Sequence, residues 1–305
     1  MEPNSAPAHK PDVYQIVTDR IIELLERGTA PWRLPSTLGG LPKNLLTNRP
    51  YRGINVWLLL AHGYEQNLFL TWEQLKSVGG SVKRGEKGHV VVFYKSVKKE
   101  VEDLDTEEKE RSIPVLKYFK VFNLSQCTNI PEHLLPKLEE RSIEPIVACE
   151  AIVKDMPHCP VIKHEKQRAF YHIADDYVNM PARRNFKSAE AYYSTLFHEL
   201  VHSTGHESRL NRKTITQMAE FGTEPYSIEE LVAEIGTCYL NSHVGILNTQ
   251  EGDSAAYIKG WLSKLRDDKR FVVYAASYAQ RAADYILNVQ SEEDRHPQMK
   301  ETQTV

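Results

Sequence analysis

The chain has 305 residues, enough for about two domains at ~100–200 residues each. Hydrophobic residues make up 41% and charged residues 26%, the balance of a globular protein in water. The 38 Lys and Arg against 41 Asp and Glu give a net charge of −3, which excludes a uniformly basic polyanion binder, and no run approaches the ~18 apolar residues of a membrane span.

Residues 1–11 are polar, carry no apolar signal segment and read as a disordered leader. Asp12 is placed to cap a helix over 12–27, whose Val13, Ile16, Val17, Ile21, Leu24 and Leu25 recur at helical spacing and which Gly28 can stop. The Pro-, Gly- and Asn-rich stretch 29–53 reads as an ordered loop. Helices are expected over 54–61 and 71–78, the second with a Thr71–Gln74 capping box. A basic turn at 83–88 leads into a strand over 89–96. A solvated charge run at 100–111 and a second strand over 115–123 follow. The Pro-interrupted, mixed-charge stretch 127–143 marks a domain boundary. Beyond it come a helix over 145–155, a strand over 169–180 closed by Pro181, and helices over 188–204, 227–242, 254–266 and 269–289, with a polar, disordered tail at 290–305. The expected organisation is therefore α+β, with domains at 12–128 and 144–289 joined by a linker at 129–143. Cys127, Cys149, Cys159 and Cys238 have no paired spacing, which argues against a disulfide framework and suits a reducing cytoplasm.

The small net charge hides an asymmetry. Residues 28–99 carry 11 Lys and Arg against three Asp and Glu, a local excess of +8 inside an acidic chain. Three of the four Trp, namely Trp32, Trp57 and Trp72, fall in the same window. Cations track phosphates and exposed aromatic faces stack on unpaired bases, so the combination suits single-stranded nucleic acid better than duplex. Arg49, Arg52, Lys83, Arg84 and Lys87 are the candidate phosphate contacts, with Trp32 and Tyr51 as candidate stacking rings. Trp57, inside the apolar run 56–61, is expected in the core.

Residues 198–202 read His-Glu-Leu-Val-His. Positions i and i+4 share one helix face, so His198 and His202 can bind one cation, with Glu199 placed as general base. Ser188 can cap this helix and Gly205 can end it. A third ligand is needed. The metzincin pattern fails because its last position is Ser208, and His206 lies just past the helix end. The candidates are carboxylates in Glu229-Glu230-Leu231-Val232-Ala233-Glu234. Glu230 and Glu234 have the spacing of a ligand followed by an acidic group that orients a ligand His. In a competing arrangement Ser227 and Glu230 form a capping box, which leaves Glu229 as the ligand. Zinc is the default metal for two His and one carboxylate, and manganese or cobalt could occupy the same donors. The chemistry expected of such a set is peptide hydrolysis, with residues 171–180 as the strand that pairs with an extended substrate.

At this point the residues resemble a known family. The N-terminal half carries Gly28-x-x-Pro31-Trp32, Tyr51-Arg52-Gly53-Ile54-Asn55, Trp72-x-x-x-Lys76 and Gly85-Glu86-Lys87-Gly88. The C-terminal half carries Met180-Pro181, the run from His198 to His206, Arg209-Leu210 and the run from Glu229 to Glu234. In this order, over about 12–289, they resemble the ArdC/TraC-type antirestriction proteins of conjugative plasmids. The resemblance implies an N-terminal α+β domain that binds single-stranded DNA without sequence preference and a mostly helical C-terminal metallopeptidase-like domain of the zincin (gluzincin) type with a small sheet. It further implies protection of incoming plasmid DNA from host restriction, with a host restriction or other protein as the peptidase substrate and no membrane partner. Two alternatives stand beside it. One is a DNA-masking protein whose metal site is structural or regulatory. The other is a protease whose basic window binds an acidic protein.

Overall fold

The chain divides into two units, Met1–Lys137 with Asp253–Tyr274 and Leu138–Gly252 with Ala275–Val305. The computed structural model describes residues 12–27, 40–100, 110–135, 145–216, 224–246 and 254–289. The expected leader and tail, and Trp32, lie outside the described residues.

In the first unit Asp12 caps α1 (Val13–Glu26), its carboxylate accepting from the Tyr14 and Gln15 amides. Val17, Ile21, Leu24 and Leu25 form the buried face. The stretch expected as loop contains β1 (Lys43–Asn44). It is followed by α2 (Ile54–Leu60), β2 (Leu68–Thr71) and α3 (Trp72–Ser77), the last with the expected Thr71–Gln74 capping box. Then come β3 (Ser81–Val82), β4 (His89–Glu100), β5 (Glu110–Asn123) and β6 (Cys127–Thr128). β1, β2, β5 and β4 form one sheet in that order, and β3 pairs with β6. The β4–β5 ladder runs from His89 opposite Val121 to Glu100 opposite Glu110. The two strands therefore extend into the expected charge run, and 101–109 lies outside the described residues. Strands of two to four residues such as β1, β2, β3 and β6 are too short to show a period. Pairing with distant partners creates them.

The sheet has two distinct faces. On one, Leu59 of α2 packs with Phe69, Val91 and Val121, all fully buried, and Tyr51 and Tyr64 lie against the same cluster. On the other, Leu75 of α3 packs with Leu70 and Cys127. Asn55 closes the outer edge of β4. Its amide nitrogen donates to the Val92 carbonyl (2.7 Å) and its oxygen accepts from the Val92 amide (2.7 Å), which occupies backbone groups that would otherwise template another strand.

The second unit opens with α4 (Pro145–Asp155) and a three-stranded sheet of β7 (Val161–Lys163), β8 (Phe170–His172) and β9 (Tyr177–Asn179) in the order β7-β9-β8. The strand expected over 169–180 is thus a hairpin. Asp176, with positive φ, lies in its turn, and Tyr171 pairs with Val178. α5 (Ala189–Ser203) is capped by Ser188, whose hydroxyl accepts from the Ala191 amide. After α6 (Lys213–Thr216) comes α7 (Glu224–Val244), which packs on α5. Gly236 makes that approach possible, since a Cβ there would lie 2.8 Å from a Val201 methyl. α7 begins three residues before Ser227, so Ser227 is inside the helix. This overturns the arrangement in which it would cap the helix and fold Glu230 back.

α8 (Ser254–Asp267) and α9 (Phe271–Ile286) complete the chain, and the division between the units falls within α9. A single domain over 144–289 was expected, yet α8 packs on α1 of the first unit. Arg266 bonds Glu26 at 2.6 Å, Lys269 bonds Asp12 at 2.6 Å, and Thr18 donates to the Lys269 carbonyl. Such long-range pairings leave no trace in local periodicity.

Candidate metal centre and nucleic-acid face

α5 turns His198 and His202 to one side, and α7 brings Glu230 to meet them. The three side chains form the group able to hold a metal ion among the described residues, with one donor atom of each within 4.8 Å of the others. His198 Nε2 and His202 Nε2 are 3.2 Å apart. Glu230 Oε1 is 3.6 Å from His202 Nε2, and its Oε2 is 3.8 Å from His198 Nε2. Donors ~2.1 Å from one tetrahedral cation sit roughly 3.4 Å from each other, so the spacing fits a single ion. The three side chains keep 12–17% exposure, which leaves the group open on one side.

Glu229, the neighbouring candidate, points elsewhere. Its Oε1 lies 3.3 Å from His202 Nδ1 and accepts from Arg212 Nη2 at 2.5 Å. Its Oε2 accepts from Arg212 Nε at 3.1 Å and Thr214 Oγ1 at 2.7 Å. With both oxygens engaged, Glu229 holds the His202 ring with Nε2 turned to the site. The role expected of Glu234 is thereby filled at His202 by Glu229, while Glu234 is buried one turn further along α7. Burial works against the charge on Glu229, but the Arg212 cation and the bonds from His202 and Arg212 hold its pKa down to about 2. Burial likewise opposes charge on His202, and the Glu229 bond with the charges of Glu230, Glu229 and Glu199 overrides it, raising the ring to about 9.

Glu199 is 8% exposed, and burial raises its pKa above the usual carboxylate value. The His202 charge and the Tyr171 backbone amide on β8 act the other way. Two residues that local sequence reasoning gave no role hold this arrangement. Arg212, 5% exposed, also donates to Thr204 Oγ1 and the Val201 carbonyl at the end of α5. Arg209 ties the Ser203 carbonyl to Asp176 and the Tyr171 hydroxyl, which fixes the β8–β9 hairpin beside α5. No spacing rule singles out either one. His206 bonds Ser208 and stays outside the donor group.

Arg49, Arg84 and Lys87 are exposed, and Arg52 is half-buried. Lys83 Nζ donates to the Ser125 carbonyl at 2.7 Å, so its ammonium anchors a turn. Tyr51 is half-buried and lies edge-to-face with Phe69, ring centroids 6.1 Å apart. Trp57 is buried as expected. Among the described residues of this unit the exposed aromatic residues are Trp72, Phe93, Tyr118, Phe119 and Tyr274, none of them in the candidate stacking set.

Residues 11–122 match the N-terminal domain of the anti-restriction factor ArdC, and residues 148–278 match a zincin-like metallopeptidase family. The chain is similar to crystal structures of the antirestriction protein ArdC from plasmid R388. The metal-free form has a TM-score of 0.73 at 38% identity, covering 92% of this chain and 100% of that one. The Mn(II)-bound form gives the same score and identity over 91% and 98%. The chain belongs to the ArdC-type antirestriction family. It is also 31% identical to the uncharacterized protein y4eC of Sinorhizobium fredii, over 97% of this chain and 98% of that protein. Two Escherichia coli proteins named DNA primase TraC are 33% identical over 91% of this chain, which spans only 20% and 27% of their lengths. Among the described residues of this ArdC-type chain, no helix is long and apolar enough to cross a membrane.

Proposed function

We propose that this ArdC-type protein protects incoming plasmid DNA by binding single strands through its first unit, and that its second unit is a metal-dependent peptidase. The convergence of His198, His202 and Glu230, with Glu199 on the same helix as the two imidazoles, carries the peptidase reading. His198 Nε2, His202 Nε2 and a Glu230 oxygen are the donors that would hold the ion, and Glu229 and Arg212 keep His202 in register. Two imidazoles and a carboxylate suit zinc. The Mn(II)-bound structure of the R388 relative supports manganese as a second occupant. Bound there, the cation supplies Lewis acidity toward a peptide carbonyl. The Glu199 carboxylate accepts the proton of the attacking water and passes it to the leaving amine nitrogen.

A second reading has its own support. The donors come from α5 and α7, so an ion there would clamp two packed helices and could serve structure or regulation alone. Glu199→Gln separates the two. The peptidase reading expects unchanged metal content, measured by elemental analysis, with proteolysis of an unfolded protein substrate falling about 10²–10⁴-fold. A metal that raises the melting temperature while wild type and Glu199→Gln cleave equally little would establish the clamp instead. The DNA reading expects salt-sensitive binding of mixed-sequence single strands in preference to duplex.

A further inference from the structure

We infer that the sheet face opposite α2 is a two-point stacking platform for the bases of single-stranded DNA, formed by Trp72 with Phe122 at one end and Tyr118 at the other. This rests on the reading of the first unit as a single-strand binder and assigns the surface that performs it. Along β5, residues 118, 120 and 122 alternate onto one face, the one that also bears Leu70 of β2. α3 covers its β2 end, where Leu75 packs on Leu70, and Val92 of β4, opposite Tyr118 on this face, is itself buried. At the β2 end Trp72, the first residue of α3, stays 48% exposed with its ring 6.0 Å from Phe122. Tyr118 is 40% exposed on the same face, ~14 Å along the strand from Phe122.

The charge beside these rings says which partner. Lys76 lies one turn on from Trp72 with Nζ 5.6 Å from its ring, and Lys120 is exposed between Phe122 and Tyr118. The basic turn is fitted to the same strand. Gly85 takes a positive φ of 90°, and a Cβ on Gly88 would lie 2.9 Å from Lys120 Cβ and 3.0 Å from the Phe122 ring. Only a residue without a side chain lets the turn that carries Arg84 and Lys87 close against Lys120 and Phe122. Two carboxylates share the area. Glu86 accepts from Gln126, and Glu73 lies in the first turn of α3. Four cations around open aromatic faces match a flexible phosphate chain with unpaired bases. A duplex, whose bases are already stacked, has no use for the rings. On the other face Phe93 and Phe119, 39% and 38% exposed, pack on each other at 5.2 Å beyond the core that α2 covers, and that pair serves as the control.

The test uses the full chain and a labelled mixed-sequence strand of about 16 nucleotides, read by fluorescence anisotropy. Trp72→Ala and Tyr118→Ala are each expected to weaken binding roughly 5- to 100-fold, the size of one lost base–aromatic stack. Trp72→Phe keeps most of the affinity, and Phe93→Ala leaves it unchanged. Lys120→Ala lowers the salt slope by about 0.7. Circular dichroism and melting curves confirm that each variant folds. Should a variant fail to fold, photocrosslinking of iododeoxyuridine-substituted strand to the unaltered protein is expected to mark Trp72 or Tyr118. Wild-type binding that survives both alanine changes, or crosslinks confined to other residues, overturns the platform and leaves the DNA-binding reading intact. No binding by wild type overturns both.

Discussion

Arg212→Met is the most informative single change at the candidate metal centre. Arg212 and Glu229 have side chains each 4% exposed and meet at 2.5 Å, so removing the guanidinium strands a carboxylate in the interior. Glu229 lies at about 2 against its usual 4.5 because of that partner and His202. At ~1.4 kcal/mol per unit the drop corresponds to about 3 kcal/mol. Breaking a buried ion pair by removing one partner costs about 3–5 kcal/mol, the same range. Arg212 also satisfies Thr204 Oγ1 and the Val201 carbonyl, so the upper half of that range is expected. The assay is urea unfolding of the metal-free protein, followed by a probe in the second unit. Arg212→Met with Glu229→Met, which removes both charges, is expected to recover most of the loss, because an apolar pair of similar volume replaces a buried ion pair at little cost. The double variant still lacks the group that orients His202, so its metal affinity is expected to remain about 10- to 100-fold below wild type. A single-variant loss under about 1 kcal/mol, or wild-type metal affinity in the double variant, would refute the claim that this pair builds the site.

Gly236→Ala places a methyl 2.8–2.9 Å from Val201, and overpacking of about 1–3 kcal/mol is expected, with weaker metal binding in calorimetric titration as α7 is pushed from α5. Val201→Ala in the same chain should restore both. Asn55→Ala removes both bonds to Val92 at the sheet edge. About 1–3 kcal/mol of stability should go, and the Val92 amide should exchange its hydrogen faster. Burial, with the charges of His89 and Arg20, lowers His62 to about 4, and burial lowers His89 as well. An unfolded His62 takes its proton near 6.5, whereas the folded form refuses it until about 4. The contribution of His62 to the first unit's stability should therefore be fully present above 6.5 and be lost as pH falls toward 4. Melting temperatures across that window should fall less steeply in His62→Phe; identical slopes would exclude this source.

Elements whose information is local were legible in the chain. Asp12 and Ser188 cap the helices they were expected to cap, and Thr71 with Gln74 forms its box. The i and i+4 spacing of His198 and His202 determined by itself that two imidazoles share a helix face. The excess of cations over residues 28–99 was likewise visible in composition alone. Tertiary structure decided the rest. Glu229 and Glu230 are adjacent and chemically identical, yet Arg212, 17 residues from Glu229, engages Glu229 while Glu230 lies beside the two imidazoles. Which aromatic rings remain open depends on what the sheet packs against. Tyr51 is drawn onto Phe69, while Trp72, at the edge of α3, is not covered. Strand pairing over long separations created β1, β2, β3 and β6, and α8 joined α1 instead of its sequence neighbours. Caps and helix faces are settled within one or two turns of chain. Ligand choice, exposure and domain membership depend on contacts whose partners are far apart in sequence, and folding alone brings them together.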